Sequence, residues 1–170
     1  MNQTITSKNT SINSVKLPSV YNKIDFSKFG DLQVLDYGCG KFDNTKHFIE
    51  NIGGSWYGYD PYNRTEAENM ECKDRWFNCI ICSNVLNVLS DTRLVYDVLR
   101  NIFDYIWYSR QKVFITVYEG DKSGVGKMTK DDCYQRNERT AEYLYMVQKV
   151  LGDNYVIKNN VITNAPSYLK

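Results

Sequence analysis

Short apolar runs alternate with amphipathic segments along most of this chain. Four runs are continuous and apolar enough to predict buried strands, at 32–37, 55–59, 77–82 and 112–118. Each is followed by a turn signal or by apolar positions at helical spacing. This alternation of strand and helix predicts a mostly parallel sheet.

Two helices have clear start signals. Asp43 is a plausible N-cap for a helix through Ile52, with Gly53 as its stop. Ser90-Asp91 opens the second, whose apolar stripe has a 3.6-residue period. Its members are Leu94, Val95, Val98, Leu99, Ile102, Phe103 and Ile106. Two weaker patterns predict a small helix over 21–29 and a longer one over 132–151.

The remaining segments define the edges of the sheet. Residues 61–75 are polar and too few for a complete helix–strand–helix passage, so the third strand of the usual pattern is abbreviated or missing. Two short runs, 155–158 and 161–163, predict an antiparallel pair at one edge. The fold predicted is α/β, a Rossmann-like, mostly parallel, doubly wound sheet with helices on both faces and an antiparallel C-terminal edge.

Domain organisation is indicated by length and local composition. At 170 residues, the chain has the length of one domain. Residues 1–15 are rich in Asn, Thr and Ser and predict a flexible N-terminal arm. Residues 16–170 are then the single folded domain.

Charge and apolar content restrict the partners. The net charge is +1, from 21 basic and 20 acidic residues without a basic block, so a nucleic-acid partner remains possible but is not supported by charge. No apolar run reaches transmembrane length and the N-terminus lacks a signal-peptide pattern, so no membrane partner is expected. The oligomeric state stays open.

The cysteines favour a reducing, cytoplasmic setting, because five of them do not suggest a disulfide framework. Cys79 and Cys82 have C-x-x-C spacing but lie in a predicted buried strand. Period-two alternation puts their sulfurs on opposite faces. With His47 as the single histidine, no metal site is expected.

The most informative stretch is the turn after the first strand. Asp36-Tyr37-Gly38-Cys39-Gly40 follows that strand, and Gly58-Tyr59-Asp60 ends the second, with Asp60 20 residues beyond Gly40. Glycines allow a tight turn and close approach of a ligand, and a carboxylate after the second strand can hold a ribose diol. The D-x-G-x-G spacing differs from the G-x-G-x-x-G of dinucleotide sites, and Lys41-Phe42 is not a P-loop ending. A ligand with a ribose but no phosphate fits best.

These motifs resemble those of the class I S-adenosylmethionine-dependent methyltransferases. Residues 35–40 are similar to their first motif, and Gly58-Tyr59-Asp60 to their second-strand acid. Residues 82–89, Cys-Ser-Asn-Val-Leu-Asn-Val-Leu, are similar to the segment after their fourth strand. The residues of these motifs also resemble those of small methyltransferase-like proteins of bacteria and their phages.

The resemblance implies a binding site for S-adenosylmethionine. Asp36 would face its ammonium group, the turn of Tyr37, Gly38, Cys39 and Gly40 would pass beneath its methionine part, and Asp60 would hold its ribose hydroxyls. Pro61 or Tyr62 would flank the adenine, and Glu71 and Asp74 are candidates to contact its amine. Ser83 and Asn84 would stand near the sulfonium and the nucleophile, with Asn84 as the catalytic residue that orients the acceptor atom.

The function that the resemblance implies is methyl transfer to an unidentified acceptor, either a small molecule or an exposed group of a macromolecule. Such transfer depends mainly on positioning, so a histidine-based catalytic set is not required. The alternative is a non-catalytic S-adenosylmethionine- or nucleoside-binding module, or a partner-binding module, with the same fold. A nicotinamide dinucleotide is disfavoured by the missing third glycine.

Overall fold

The computed structural model describes residues 5–7, 9, 16–106 and 110–170. Its helices are α1 Ser19–Lys23, α2 Asn44–Asn51, α3 Glu66–Glu71, α4 Thr92–Asp104 and α5 Thr140–Leu151. Its strands are β1 Gln33–Tyr37, β2 Ser55–Tyr59, β3 Cys79–Ser83, β4 Lys112–Thr116, β5 Lys127–Lys130, β6 Cys133–Gln135, β7 Val156–Lys158 and β8 Val161–Thr163. Most of residues 1–15, the predicted arm, lie outside the described residues.

Six of the strands form one mixed sheet in the order β2-β1-β3-β4-β8-β7. The first four are parallel, with Leu35 of β1 opposite both Tyr57 of β2 and Ile80 of β3. β8 pairs antiparallel with β4, and β7 pairs antiparallel with β8 and forms the edge of the sheet. The prediction of an α/β, mostly parallel sheet with an antiparallel C-terminal edge is therefore confirmed.

The sheet has a packed core on each face. Because strand side chains alternate, Leu35 and Cys82 point to one face, toward Val95 of α4 and Tyr143 of α5. Val34 and Cys79 point to the other face, toward α1 and α2. Cys79 and Cys82 thus lie on opposite faces, as their spacing predicts, and both are free thiols.

The missing third strand is a real feature of the fold. Between β2 and β3 the chain forms only the short α3, which is opened by a capping box between Thr65 and Glu68. The chain then enters β3, which pairs with β1 on the side opposite β2. As a result β2 is an edge strand, and β1 lies where the direction of the chain across the sheet reverses.

The predicted helix over 132–151 is wrong in its first third. Only Thr140–Leu151 is helical, and the preceding residues form an antiparallel hairpin of β5 and β6. Asp132 and Asn137 both have left-handed backbone, with φ values of +55° and +58°, which a continuous α-helix cannot contain. The hairpin carries little hydrophobic signal because every residue of β5 is exposed.

Three smaller observations complete the fold. The predicted helix over 21–29 is split, because Ile24 bridges to Leu169 between α1 and a short 3₁₀ turn. Ile52 and Phe103, placed on buried helix faces by their spacing, are 48% and 51% exposed. Among the described residues, the helices are too short and too polar for any of them to span a bilayer.

Candidate functional site

A cleft of about 1350 Å³ lies at the carboxyl ends of β1, β2 and β3. Ten of the twelve residues that the sequence assigns to the site border it: Asp36, Tyr37, Gly38, Cys39, Gly40, Asp60, Pro61, Tyr62, Ser83 and Asn84. The parallel register explains this convergence, because the loops that leave the three strands emerge at one edge of the sheet. Glu71 and Asp74 do not border the cleft.

The glycine turn is fixed by β2 rather than left free. The N–H groups of Gly38 and Cys39 both donate to the carbonyl of Tyr59, at 2.7 and 3.3 Å. The N–H of Gly40 donates to the carboxylate of Asp60 at 3.0 Å. Gly38 and Gly40 have φ values of +76° and +72°, in the left-handed region that favours glycine. The two motifs of the sequence thus form one hydrogen-bonded unit.

Arg64 stabilises the glycine turn through several hydrogen bonds. Its guanidinium donates to the carbonyls of Gly40 and Phe42, each at 2.9 Å, and pairs with Asp43 at 2.7 Å. The group also lies over the ring of Trp56 at 5.4 Å. The guanidinium has five N–H donors in a rigid plane, so it can hold several acceptors at once in a fixed geometry. Arg64 therefore sets the shape of the turn.

Asp60 is a buried carboxylate with a complete set of donors. Besides Gly40, it accepts from the backbone N–H groups of Tyr62 and Asn63, at 2.9 and 3.0 Å. The side-chain amide of Asn63 bridges both carboxylate oxygens at 3.2 Å. The amide of Asn69 on α3 holds the backbone N–H and carbonyl of Asp60 itself. Asp60 is thus held in place at every polar atom.

Asp36 lies deeper, at the bottom of the cleft on the α1 and α2 side. It accepts from the hydroxyl of Thr45 at 2.7 Å and from the indole N–H of Trp56 at 3.2 Å. Burial raises the pKa of its carboxyl, while the hydrogen bonds from Thr45 and Trp56 oppose that rise. Cys39 is half-buried nearby, and its partial burial raises the pKa of its thiol, so it stays protonated at neutral pH.

Ser83 and Asn84 differ in whether their side chains are hydrogen-bonded within the fold. The hydroxyl of Ser83 is 3.0 Å from that of Thr116, across the β3–β4 pair. Asn84 has left-handed backbone, with φ at +58°, and its N–H donates to the carbonyl of Thr116 at 2.8 Å. Its side chain is exposed at the cleft and makes no hydrogen bond with any described residue. Asn84 therefore offers the site a free amide.

One wall of the cleft is formed by the β5–β6 hairpin, which the sequence does not predict. The amide of Asn87 donates to Gln135 at 3.1 Å and accepts from the N–H of Tyr118 at 3.3 Å. Gln135 donates to the carbonyl of Tyr118 at 2.8 Å. Near the hairpin tip, the hydroxyl of Ser7 donates to the carbonyl of Val88 at 3.0 Å. Asn87 is therefore a structural amide, in contrast to Asn84.

Several residues that build the site carry no motif in the sequence. Arg64, Asn63 and Asn69 lie in the polar segment after β2, where nothing separates them from ordinary loop residues. Thr45 shares a helical face with Ile49, which is the one weak signal that its side chain points inward. For the hairpin, the only signal is a short alternation over Cys133, Tyr134 and Gln135. In the structure these residues are buried, half-buried and buried.

Comparison with known proteins adds no family to this geometry: neither protein-family models nor curated protein sequences match the chain. The residues of the cleft therefore carry the functional interpretation.

Proposed function

We propose that the chain is a class I, Rossmann-like, S-adenosylmethionine-dependent methyltransferase that acts on an unidentified acceptor. The observation that carries the proposal is the cleft that brings together the glycine turn, Asp60 and Asn84 at one edge of a parallel sheet.

The position of the cleft supports a nucleoside-type ligand. The strand order β2-β1-β3 means that the chain leaves β1 in one direction for β2 and then crosses to the other side for β3. Open α/β sheets bind ligands at this reversal, outside the carboxyl ends of the strands. The cleft lies there, and its volume is ample for a ligand with a base, a sugar and an amino-acid chain.

The hydrogen bonding of the turn supports a ligand without phosphate. A pyrophosphate site needs main-chain N–H groups that are free to donate. In this turn the N–H groups of Gly38 and Cys39 go to Tyr59, and that of Gly40 goes to Asp60. A dinucleotide would have to break these bonds, whereas S-adenosylmethionine would not.

The donors around Asp60 fit a ribose after one local change. The Asn63 amide bridges both oxygens of the carboxylate at 3.2 Å, longer than the usual distance of about 2.9–3.0 Å for an N–H···O bond. Two hydroxyls of a ribose can make the same bridge. The backbone donors Gly40, Tyr62 and Asn63 hold the carboxylate in place while the amide is exchanged.

The chemistry requires positioning above all. When bound, S-adenosylmethionine would supply a methyl carbon activated by its sulfonium. The lone pair of the acceptor would form the new bond to that carbon, the electrons of the carbon–sulfur bond would pass to sulfur, and any acceptor proton would go to water. Asn84 can donate to the acceptor atom or accept from it, and so orient its lone pair. Its left-handed backbone is tied to Thr116, which fixes the main-chain position from which the amide extends. Orientation of this kind can contribute roughly 7–11 kcal/mol to lowering a barrier.

Calorimetry with three ligands tests the proposal. We expect binding of S-adenosylmethionine and S-adenosylhomocysteine and at least about tenfold weaker binding of NAD. Incubation with methyl-labelled S-adenosylmethionine and a cell extract should then give a labelled product. Binding without any labelled product would favour the non-catalytic module, and absence of binding to both adenosyl compounds would reject the proposal.

A further inference from the structure

One part of the cleft, which we call its acceptor end, is lined by side chains to which the proposed cofactor site assigns no role. It is bordered by Tyr118, which follows β4, and by Thr129, Lys130 and Tyr134 of the hairpin. The features of this end concern the acceptor, so any inference drawn from them rests on the proposed function.

Tyr118 presents an aromatic ring on a fixed backbone. Its N–H and its carbonyl are both held, by Asn87 and Gln135 respectively. The residue nevertheless is 63% exposed, and its ring contacts no other ring or cation among the described residues. Tyr145, which is about as exposed, lies under the ammonium of Lys149 at 5.1 Å instead. An open ring on an anchored backbone is a surface on which a planar molecule can stack.

Lys130 supplies a free positive charge at the same end. The neighbouring lysines are neutralised, Lys122 by Glu119 at 3.1 Å and Lys127 by Asp121 at 2.9 Å. Lys130 borders the cleft and makes no ion pair with any of the described residues. Because the hairpin is anchored to Asn87 through Gln135 and the backbone of Arg136, this charge is held over the cleft.

The three groups together define what they can recognise. A flat ring can stack on Tyr118, and an anionic substituent can pair with Lys130. The amide of Asn84 can form a hydrogen bond with the heteroatom that is to be methylated. We propose that the methyl acceptor is a small, planar, ring-containing molecule with an anionic substituent, a carboxylate or a phosphate, bound between Tyr118 and Lys130.

The charges at the rim favour a free small molecule over a nucleic acid. A nucleic-acid backbone offers a row of phosphates and is bound by several unpaired cations. Lys122, in the loop before the hairpin, and Lys127, on β5, are already paired, which leaves Lys130 as the unpaired lysine of the three. A single anionic group matches that arrangement.

Ligand-detected NMR on the protein with saturating S-adenosylhomocysteine tests the inference. The probes are pyridine-3-carboxylate, its neutral carboxamide, the non-planar cyclohexanecarboxylate, and phenyl phosphate. We expect the two planar anions to bind about fivefold or more tighter than the other two, the scale of one ion pair or one stacking contact. The stronger of the two planar anions identifies the anionic group.

Variants separate the proposed contacts from general effects. Lys130→Gln should abolish the preference for carboxylate over carboxamide, and Tyr118→Leu should abolish the preference for the planar ring. Lys127→Gln is the matched control, because it removes a paired lysine from the same hairpin, and it should leave both preferences intact.

Three outcomes would overturn the inference: equal binding of charged and neutral probes, an equal effect of Lys127→Gln and Lys130→Gln, or no binding by any probe. A single-stranded DNA hexamer that displaces the probes in a Lys130-dependent manner would overturn it in favour of a nucleic-acid acceptor. Failure of S-adenosylhomocysteine to bind, measured separately by calorimetry, would instead count against the proposed function.

Discussion

Gly38 packs directly against Val85. A Cβ built on Gly38 would lie 2.2 Å from Cγ2 of Val85, and the backbone of Gly38 has a φ of +76°. The turn after β1 and the segment after β3 are therefore in contact at the bottom of the cleft. This contact needs a glycine for two separate reasons, space and backbone conformation.

Replacement of Gly38 should destabilise the fold both by overpacking against Val85 and by backbone strain. For Gly38→Ala we expect a loss of about 2–4 kcal/mol in the free energy of unfolding, from roughly 1–2 kcal/mol of left-handed strain and the rest from overpacking. Urea denaturation measures it. Gly53→Ala is the control, because Gly53 has a φ of +84° with open space around it, and it should lose about 1–2 kcal/mol. Equal losses in the two variants would show that the Val85 contact carries no cost.

Asp60 should affect both stability and cofactor affinity. Asp60→Ala leaves the N–H groups of Gly40, Tyr62 and Asn63 without their acceptor, so we expect weaker binding of S-adenosylhomocysteine by on the order of 1.5–3 kcal/mol and a lower melting temperature. Asn63→Ala keeps the carboxylate and removes the amide that bridges it, so affinity should be equal or higher. Glu71→Ala, an acid outside the cleft, should change neither. Unchanged affinity in folded Asp60→Ala protein would remove the ribose role from Asp60.

The parts of the site that could be predicted from sequence are those whose chemistry depends on backbone conformation or strand position. Gly38, Asp60 and Asn84 each follow a continuous apolar strand, and the parallel sheet brings their loops together. Arg64 and Asn63 could not be predicted, because their partners are backbone carbonyls and a carboxylate that come near only after folding. The β5–β6 hairpin escapes prediction for a related reason: its stability comes from polar contacts such as Gln135 with Tyr118, not from an apolar face.

Asn84 should affect the rate of transfer without affecting the fold. Asn84→Gly removes the free amide but suits the left-handed backbone, so we expect a change of less than about 1 kcal/mol in stability. Affinity for S-adenosylhomocysteine should stay the same within about twofold, while kcat falls about 10–100-fold because the acceptor is less well oriented. The control is Asn160→Gly, in the β7–β8 turn, where φ is also +58° and the side chain lies outside the cleft. A parallel loss of affinity and rate in Asn84→Gly would indicate a binding role instead.

Asp36 should make the fold less stable as the pH rises from acid to neutral. Burial raises the pKa of its carboxyl in the folded state, whereas the unfolded chain has the ordinary value of about 3.9. Below that value both states are protonated and Asp36 has no effect on stability. Above it the unfolded chain releases its proton first, so the folded state becomes less favourable until the folded pKa is reached. Asp36→Asn abolishes this titration and keeps an acceptor oxygen for Thr45 and Trp56.

The stability of Asp36→Asn relative to the natural protein should therefore increase as the pH is raised from about 4 toward 7, as measured by urea denaturation at each pH. The contrasting variant is Asp91→Asn at the N-cap of α4. Hydrogen bonds from Arg93 lower the pKa of Asp91 in the folded state, so its stabilising effect is present above the unfolded value and is lost as the pH falls. The stability of Asp91→Asn relative to the natural protein should accordingly stay nearly constant above about pH 5 and increase as the pH falls below the unfolded value of about 3.9. If the two variants changed in the same direction, the buried Asp36 carboxylate would not be the source of the pH dependence.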